Sequence, residues 1–314
     1  MNEELLLKYK LLNISFFDKF VYHIGSAEGF FSEYNNMILS ILYCLEHKIQ
    51  FNLYSKDANF KYDKGWSDYF VSFCPETGNL FHSFFNRRTN SRFKNPVLST
   101  IDLFLTKIFC SIHPSLLTTY DLWNSIRSQN KSLYFIFPEL SLSGSLRTVC
   151  RELIKMTWIY NPSTKMDVTN LINGLNMPSH YIGLHIRGGD KYKEAVIQNV
   201  DLYIQKAESL SSLRTAFVLT DDYSVYEQLI FNYPSWLFYT LCGKDEHGYY
   251  NDSFKRERGE LKKERYLKLF ASIDILAKSN YFVGTFTSNP GMYLGMRMDE
   301  DKVFSVDIAE WTIW

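Results

Sequence analysis

The chain has few cysteines, and their spacing matches no disulfide or metal-binding motif. Five cysteines are scattered through 314 residues, and none forms a C-x-x-C pair. An odd number of widely separated cysteines argues against a disulfide framework or a cysteine-based zinc site and favours reduced thiols. Long apolar runs are also absent, since no window approaches the roughly 20 residues that a membrane-spanning helix requires.

Two further absences narrow the class of protein. Lys+Arg and Asp+Glu number 34 each, so the formal net charge of +0 offers no field to attract nucleic acid. The first residues, M-N-E-E-L-L-L-K-Y-K, are acidic where a signal peptide would be basic. We therefore expect a soluble, cytoplasmic protein with no nucleic-acid partner. The sequence leaves its oligomeric state open.

The chain is rich in aromatic residues, with 22 Tyr and 25 Phe. Core packing is the ordinary role of any one ring, and contact with sugars or a membrane-bound acceptor is the alternative. One stretch, Asn79–Lys94, combines aromatic with basic side chains. It predicts either a loop over a cleft or a solvated surface face.

The N-terminal half begins with a β-α-β pattern. A strand at Phe20–Ile24, a glycine-bounded turn at Gly25–Gly29, a helix at Ser32–His47 and a strand at Ile49–Tyr54 follow in order. This is the building block of a parallel sheet.

Proline-containing segments at Asn161–Thr164 and Asn176–Ser179 predict a linker, and we place the domains at 1–175 and 176–314. Strands and helices then alternate. The strands are predicted at Tyr181–Arg187, Thr215–Thr220, Trp236–Tyr239, Tyr281–Phe286 and Lys302–Val306, and the helices at Val200–Leu210, Ser224–Phe231, Glu264–Lys278 and Pro290–Met298. This alternation predicts an α/β protein with two Rossmann-type domains facing across a cleft.

The segment Tyr181–Lys191, Y-I-G-L-H-I-R-G-G-D-K, is the most informative in the chain. A buried strand ends in polar residues and a glycine pair that lets the backbone approach a ligand. Arg187 and Lys191 would stand at the carboxyl end of that strand, where open α/β sheets bind ligands. Because an arginine fork grips two oxygens, we interpret this as a nucleotide-sugar diphosphate site. A solvated polar turn is the alternative.

Two other strands end in the same way. Thr220-Asp221-Asp222 follows the second strand, and the two carboxylates could hold Mg²⁺ or, alternatively, cap the next helix. The fourth strand is followed by hydroxyls and an amide before a helix that Pro290 could open, which is typical of an anion site. Its candidate residues are Thr285, Thr287, Ser288 and Asn289.

Two features also have a purely structural interpretation. His185 is a lone histidine in an apolar strand and could be a core residue, although it shares a strand face with Arg187. The charged run Lys255–Arg265 predicts a loop and the exposed start of a helix, or a loop that orders over bound nucleotide.

The motifs H-I-R-G-G-D-K, T-D-D and G-T-F-T-S-N occur in this order over Tyr181–Gly291. In this the chain resembles the GDP-fucose-dependent fucosyltransferases, most closely the α1,6-fucosyltransferase branch with the bacterial nodulation enzymes, and also the protein O-fucosyltransferases. A fainter match covers Gly29–Asn36 and Lys64–Trp66. The resemblance implies a GT-B-like fold, transfer with inversion, and no metal or other cofactor.

The resemblance also implies roles for individual residues. Arg187 would bind the β-phosphate with His185 beside it, and Thr287, Ser288 and Asn289 would meet the diphosphate. The catalytic base would be Glu194, with Asp190 as the second candidate.

Two positions depart from the family pattern. Gly188 stands where the α1,6 branch has a second arginine. The nucleobase-binding aspartate falls on Ser272, with Asp274 two residues further on, so the diphosphate is better supported than the guanine base.

Three functions remain in competition. The first is transfer of fucose from GDP-fucose to a glycan acceptor, with a lipid-linked acceptor and a peripheral contact at the inner membrane face left open. The second is transfer of mannose, xylose or a heptose from another nucleotide. The third is nucleotide-sugar binding without catalysis.

Overall fold

The computed structural model describes residues 2–25, 28–86, 95–112, 116–188, 198–248 and 259–313. Contacts along the chain separate two compact units, Met1–Asn161 with Trp314 and Pro162–Ile313. Each unit has its own parallel sheet.

The first unit contains the predicted β-α-β element. Strands β1 (Lys19–His23) and β2 (Gln50–Tyr54) are parallel and joined by helix α2 (Phe30–Glu46). A third parallel strand, β3 (Leu116–Thr118), pairs with the other side of β1, which gives the order β2-β1-β3. The remaining elements of this unit are α1 (Asn2–Ser15), α3 (Phe81–Phe84), α4 (Pro96–Ser111), α5 (Thr119–Ser128), the antiparallel pair β4 (Phe135–Phe137) and β5 (Leu142–Gly144), and α6 (Leu146–Thr157).

Aromatic rings fill much of the first core. Trp66 is fully buried and stacks on Phe70 with 4.5 Å between ring centroids. Phe70 in turn lies 5.1 Å from the ring of Trp158, and Phe30 stacks on Tyr34. These contacts assign many of the rings to packing, which is the ordinary role.

The second unit is a five-stranded, fully parallel sheet in which strands alternate with helices, as predicted. Its order is β10-β9-β6-β7-β8. The strands are β6 (Ile182–His185), β7 (Thr215–Leu219), β8 (Leu237–Tyr239), β9 (Tyr281–Gly284) and β10 (Val303–Ser305), and the helices are α7 (Pro162–Gly174), α8 (Val200–Leu210), α9 (Tyr223–Asn232), α10 (Glu260–Lys278) and α11 (Asn289–Arg297).

The strand order of this sheet reverses between β6 and β9. From β6 the chain moves outward through β7 to β8, and then returns to β9 on the other side of β6. Open α/β sheets bind their ligands at such a reversal, outside the carboxyl ends of the strands.

The first predicted linker segment, Asn161–Thr164, contains the start of a helix, whereas the second, Asn176–Ser179, lies outside the helices. Pro162 lies in the first turn of α7, where its missing N–H is not needed. Helix α7 packs on α10, so the two units divide between Asn161 and Pro162, one helix before residue 175. Helix α10 also begins at Glu260, four residues before the predicted start. Among the helices whose residues are described, none is both long and apolar enough to cross a lipid bilayer.

Candidate functional site

The carboxyl ends of neighbouring strands bring the predicted segments of the second unit to one edge of its sheet. Strand β6 pairs with β7 on one side, with His185 opposite Leu219, and with β9 on the other, with Leu184 opposite Val283. The residues that follow these strands, 186–188, 220–222 and 285–289, therefore leave the sheet side by side at the reversal of strand order.

Arg187 follows β6, and its side chain is 25% exposed. Its Nε lies 3.4 Å from Oδ2 of Asp221, and the other oxygen of that carboxylate accepts the backbone N–H of Gly188 at 2.8 Å. Asp221 thus contacts both the guanidinium and the turn that carries it. His185, on the last residue of β6, is 4% exposed.

The second aspartate of the T-D-D turn caps a helix. Asp222 accepts the backbone N–H of Ser224 at 3.0 Å and its hydroxyl at 2.8 Å, at the start of α9. The capping interpretation of Asp222 is the one that the structure shows. No group of three or more His, Cys, Asp or Glu side chains placed to hold a metal ion occurs among the described residues.

The turn after β9 is held by its own side chains and by one carboxylate. The Ser288 hydroxyl donates to the Thr285 carbonyl at 2.8 Å and accepts the N–H of Gly291, so Ser288 caps α11. A Cβ on Gly291 would lie only 1.9 Å from the Thr285 carbonyl oxygen. A glycine is therefore needed where the helix approaches this turn.

Asp307, which the sequence analysis missed, organises the same turn. It follows β10 and accepts five hydrogen bonds, from the backbone N–H groups of Phe286, Thr287 and Ile308 and from the hydroxyls of Thr287 and Ser305. Burial raises the pKa of Asp307, but these hydrogen bonds outweigh it and hold the pKa below the ordinary 3.8. Its position in the sequence could have identified it, because Asp307 is a polar residue at the carboxyl end of a predicted strand, as Arg187 and Asp221 are.

Comparison with known proteins finds likeness in structure only. No family model matches the sequence, and no curated protein sequence matches it. A structure of NodZ α1,6-fucosyltransferase soaked with GDP-fucose is 13% identical and covers 90% of this chain and 92% of its own, with a TM-score of 0.53.

Two further solved structures agree. Fucosyltransferase NodZ from Bradyrhizobium is 13% identical over 90% of this chain and 93% of its own, with a TM-score of 0.51. A mutant of Arabidopsis thaliana FUT1 in complex with GDP is 12% identical over 94% of this chain and 72% of its own, with a TM-score of 0.50. The chain has the fold of these fucosyltransferases. The α/β, GT-B-like class and the resemblance read from the motifs are confirmed at the level of the fold.

The two residues predicted near the nucleobase lie on α10. Ser272 is 3% exposed, and Asp274 forms an ion pair with Arg297 of α11, at 2.7 Å between Oδ1 and an Nη atom. In this fucosyltransferase fold the Asp274 carboxylate joins two helices. Its predicted role in base recognition stays a prediction.

Several predicted residues lie outside the described ranges. They are Asp190, Lys191 and Glu194 after β6, the cations Arg87, Arg88, Arg92 and Lys94, and residues 255–258 at the start of the charged run. Their predicted roles rest on the sequence alone.

The first unit has a polar cluster at the equivalent edge of its own sheet. His23, the last residue of β1, has Nδ1 at 2.6 Å from the Asn86 carbonyl oxygen and Nε2 at 2.6 Å from Oδ1 of Asp57. The Ser83 hydroxyl donates to the other Asp57 oxygen at 2.9 Å. Burial raises the pKa of Asp57, but its contacts with His23 and Ser83 lower it below 3.8. Both ring nitrogens of His23 therefore face oxygen atoms of the protein.

Proposed function

We propose that this chain is a glycosyltransferase that takes a nucleotide-diphosphate sugar as its donor. The observation that carries the proposal is the position of Arg187. It follows β6 at the reversal of strand order, and the adjacent strand β9 leads into the N-terminus of α11.

This arrangement suits a departing diphosphate. Helix N-termini attract anions through their backbone N–H groups, and a guanidinium adds a full charge with two parallel donors. Positive charge placed in advance where negative charge develops is commonly the largest contribution to catalysis. Arg187 and the start of α11 would supply that charge without a metal ion.

The proposed donor is GDP-fucose. Its support is the motif resemblance together with the fold, because proteins of that fold have been crystallised with GDP or soaked with GDP-fucose. The acceptor would be a hydroxyl of a glycan, in surface polysaccharide or glycoconjugate synthesis.

The proposed reaction inverts the anomeric carbon. Glu194 would remove the proton from the acceptor hydroxyl, whose oxygen attacks the sugar while the diphosphate leaves toward Arg187. The general base must reach the acceptor hydroxyl within hydrogen-bonding distance, directly or through one water. Asp190 is the alternative base, and both assignments come from the sequence.

A donor panel tests the proposal. The purified protein is incubated with GDP-fucose, GDP-mannose, UDP-xylose and ADP-heptose, and donor hydrolysis and glycan products are followed by mass spectrometry. Calorimetry with GDP, UDP and ADP measures base preference separately. Turnover of GDP-fucose is the expected result. Turnover of another donor would change the sugar but keep the reaction, and GDP-sugar binding without product or hydrolysis would favour a non-catalytic binding protein.

A further inference from the structure

Helix α4 of the first unit turns an apolar face to solvent. Six of its side chains are large, apolar and between 37% and 67% exposed: Val97, Leu98, Ile101, Phe104, Leu105 and Ile108. Positions 97, 101, 104 and 108 follow the i, i+4, i+7, i+11 spacing of a single helix face. We call these six residues the α4 face.

Two polar side chains of this helix, in contrast, are buried. Asp102 and Thr106 are 5% and 3% exposed, so the helix buries its carboxylate and a hydroxyl while exposing leucine, isoleucine and phenylalanine. A surface helix in water normally has the reverse arrangement. Contiguous apolar surface of this kind indicates an interaction site.

The one exposed charged side chain among the described residues of this helix is positive. Between Asn95 and Ile112 the sequence has two charged residues, the buried Asp102 and the exposed Lys107. In the sequence alone, the eight residues before Asn95 add Arg87, Arg88, Arg92 and Lys94 and no acidic residue. An apolar helix face accompanied by cations is complementary to an anionic lipid surface.

We propose that the α4 face docks on the surface of a lipid bilayer that contains anionic lipid. The helix has 16 residues, about 24 Å in length, and would lie in the plane of the headgroups with its apolar side chains toward the acyl chains. A second copy of this chain is the less suitable occupant, because its own residues 87–112 would offer the same sequence and so, besides the buried Asp102, no acidic residue to complement these cations. The inference is independent of the proposed function.

Vesicle binding tests the proposal. The full chain is sedimented with vesicles of phosphatidylcholine alone and with vesicles containing about 30% phosphatidylglycerol. Binding to the anionic vesicles is expected, and the double variant Ile101→Asp, Phe104→Asp should lower the partition coefficient by about tenfold or more. Both side chains are exposed, so the fold should persist, which circular dichroism and thermal melting would verify.

The matched control is Ile230→Asp, Phe231→Asp on α9, whose side chains are 48% and 86% exposed. It introduces the same charge on an exposed apolar pair elsewhere and should leave vesicle binding unchanged. The proposal is overturned if neither vesicle binds, or if both double variants reduce binding equally. It is also overturned if light scattering shows a dimer that the α4 variant dissociates while vesicle binding is absent, since a second copy would then be the occupant.

Discussion

Asp307 accepts both the backbone N–H of Thr287, at 3.1 Å, and its hydroxyl, at 2.5 Å. The hydroxyl hydrogen of Thr287 is therefore directed at a protein carboxylate. Because Ser288 likewise donates to the Thr285 carbonyl, the side chains of this turn shape the loop itself. An incoming diphosphate would then meet the backbone that these contacts orient.

Replacing Asp307 with asparagine should loosen this turn. An amide offers one acceptor oxygen and places an NH₂ group against donors, so several of the five hydrogen bonds are lost. We expect a loss of about 2 kcal/mol in the free energy of unfolding and about tenfold weaker GDP binding. Urea unfolding and calorimetry measure the two effects.

The stability difference between wild type and Asp307→Asn should depend on pH. The pKa of Asp307 is lowered on folding, so its stabilising effect is complete above the ordinary value of 3.8 and disappears as the pH falls through the folded value. The difference between the two proteins should therefore begin to shrink below about pH 4. Asp301→Asn, at an exposed carboxylate of the same unit, is the control. Equal losses in both variants would contradict the role of Asp307.

Replacing Arg187 with alanine should abolish most turnover while the fold persists. Loss of one preorganised donor to a developing charge typically costs about 3–4 kcal/mol, or 100- to 1,000-fold in rate. Arg187→Lys should recover only part of the rate, because a point charge cannot replace the guanidinium fork. Initial rates with GDP-fucose measure the effect.

Arg214→Ala is the matched control for Arg187. Arg214 precedes β7, at the opposite edge of the sheet, and its exposed guanidinium pairs with Glu208 at 3.3 Å. It should keep normal turnover. Near-normal turnover of Arg187→Ala itself would refute the proposed assignment.

Much of the second unit could be predicted from the sequence because its signals are local. Helix α8 begins and ends where the sequence places it, at Val200 and Leu210, since Asn199 caps it and the apolar period is regular. The two units divide within the predicted linker segment Asn161–Thr164, but the helix that begins at Pro162 does not follow from the sequence, because proline favours both a loop and the first turn of a helix.

The site was less accessible from sequence because its contacts are long-range. The motifs identify Arg187 and the turn 285–289 as neighbours at strand ends. The pairing of Asp307 with Thr287, 20 residues earlier, depends on β10 lying beside β9. The Asp221–Arg187 contact likewise depends on β7 lying beside β6.

Gly291→Ala should destabilise the protein and displace the start of α11. Its Cβ would overlap the Thr285 carbonyl oxygen, which belongs to backbone and cannot move aside cheaply. We expect a loss of about 1–3 kcal/mol in the free energy of unfolding, together with weaker GDP binding. Urea unfolding and calorimetry report both.

Gly174→Ala, at another helix of the same unit, is the control and should not lower the free energy of unfolding. A Cβ there has no atom within 4 Å, so the change should be neutral or stabilising by roughly 0.5–1 kcal/mol. If Gly291→Ala were as stable as Gly174→Ala, the close approach of α11 to Thr285 would be wrong.

Glu194→Gln should lower the rate by about 100- to 10,000-fold and leave donor affinity unchanged, because a general base acts on the acceptor. Asp190→Asn is the comparison. Kinetics and calorimetry on both variants identify the base. If only Asp190→Asn lost activity, Asp190 would be the general base. A collapse of GDP affinity in Glu194→Gln would exclude it as a base.

Asp57→Asn should destabilise the first unit through its contact with His23. The carboxylate faces a ring nitrogen of a buried histidine, and loss of its charge weakens a short hydrogen bond, which should cost about 1–3 kcal/mol near neutral pH. The pKa of Asp57 is lowered on folding, so this stabilisation is present above its ordinary 3.8 and is lost as the pH falls through the folded value. Chemical unfolding of both proteins across this range should show that their difference in free energy of unfolding decreases as the pH falls.

The control is Asp63→Asn, at an exposed carboxylate of the same unit. It should change stability by less than about 0.5 kcal/mol at any pH, and an equal effect there would show that Asp57 has no special contact with His23.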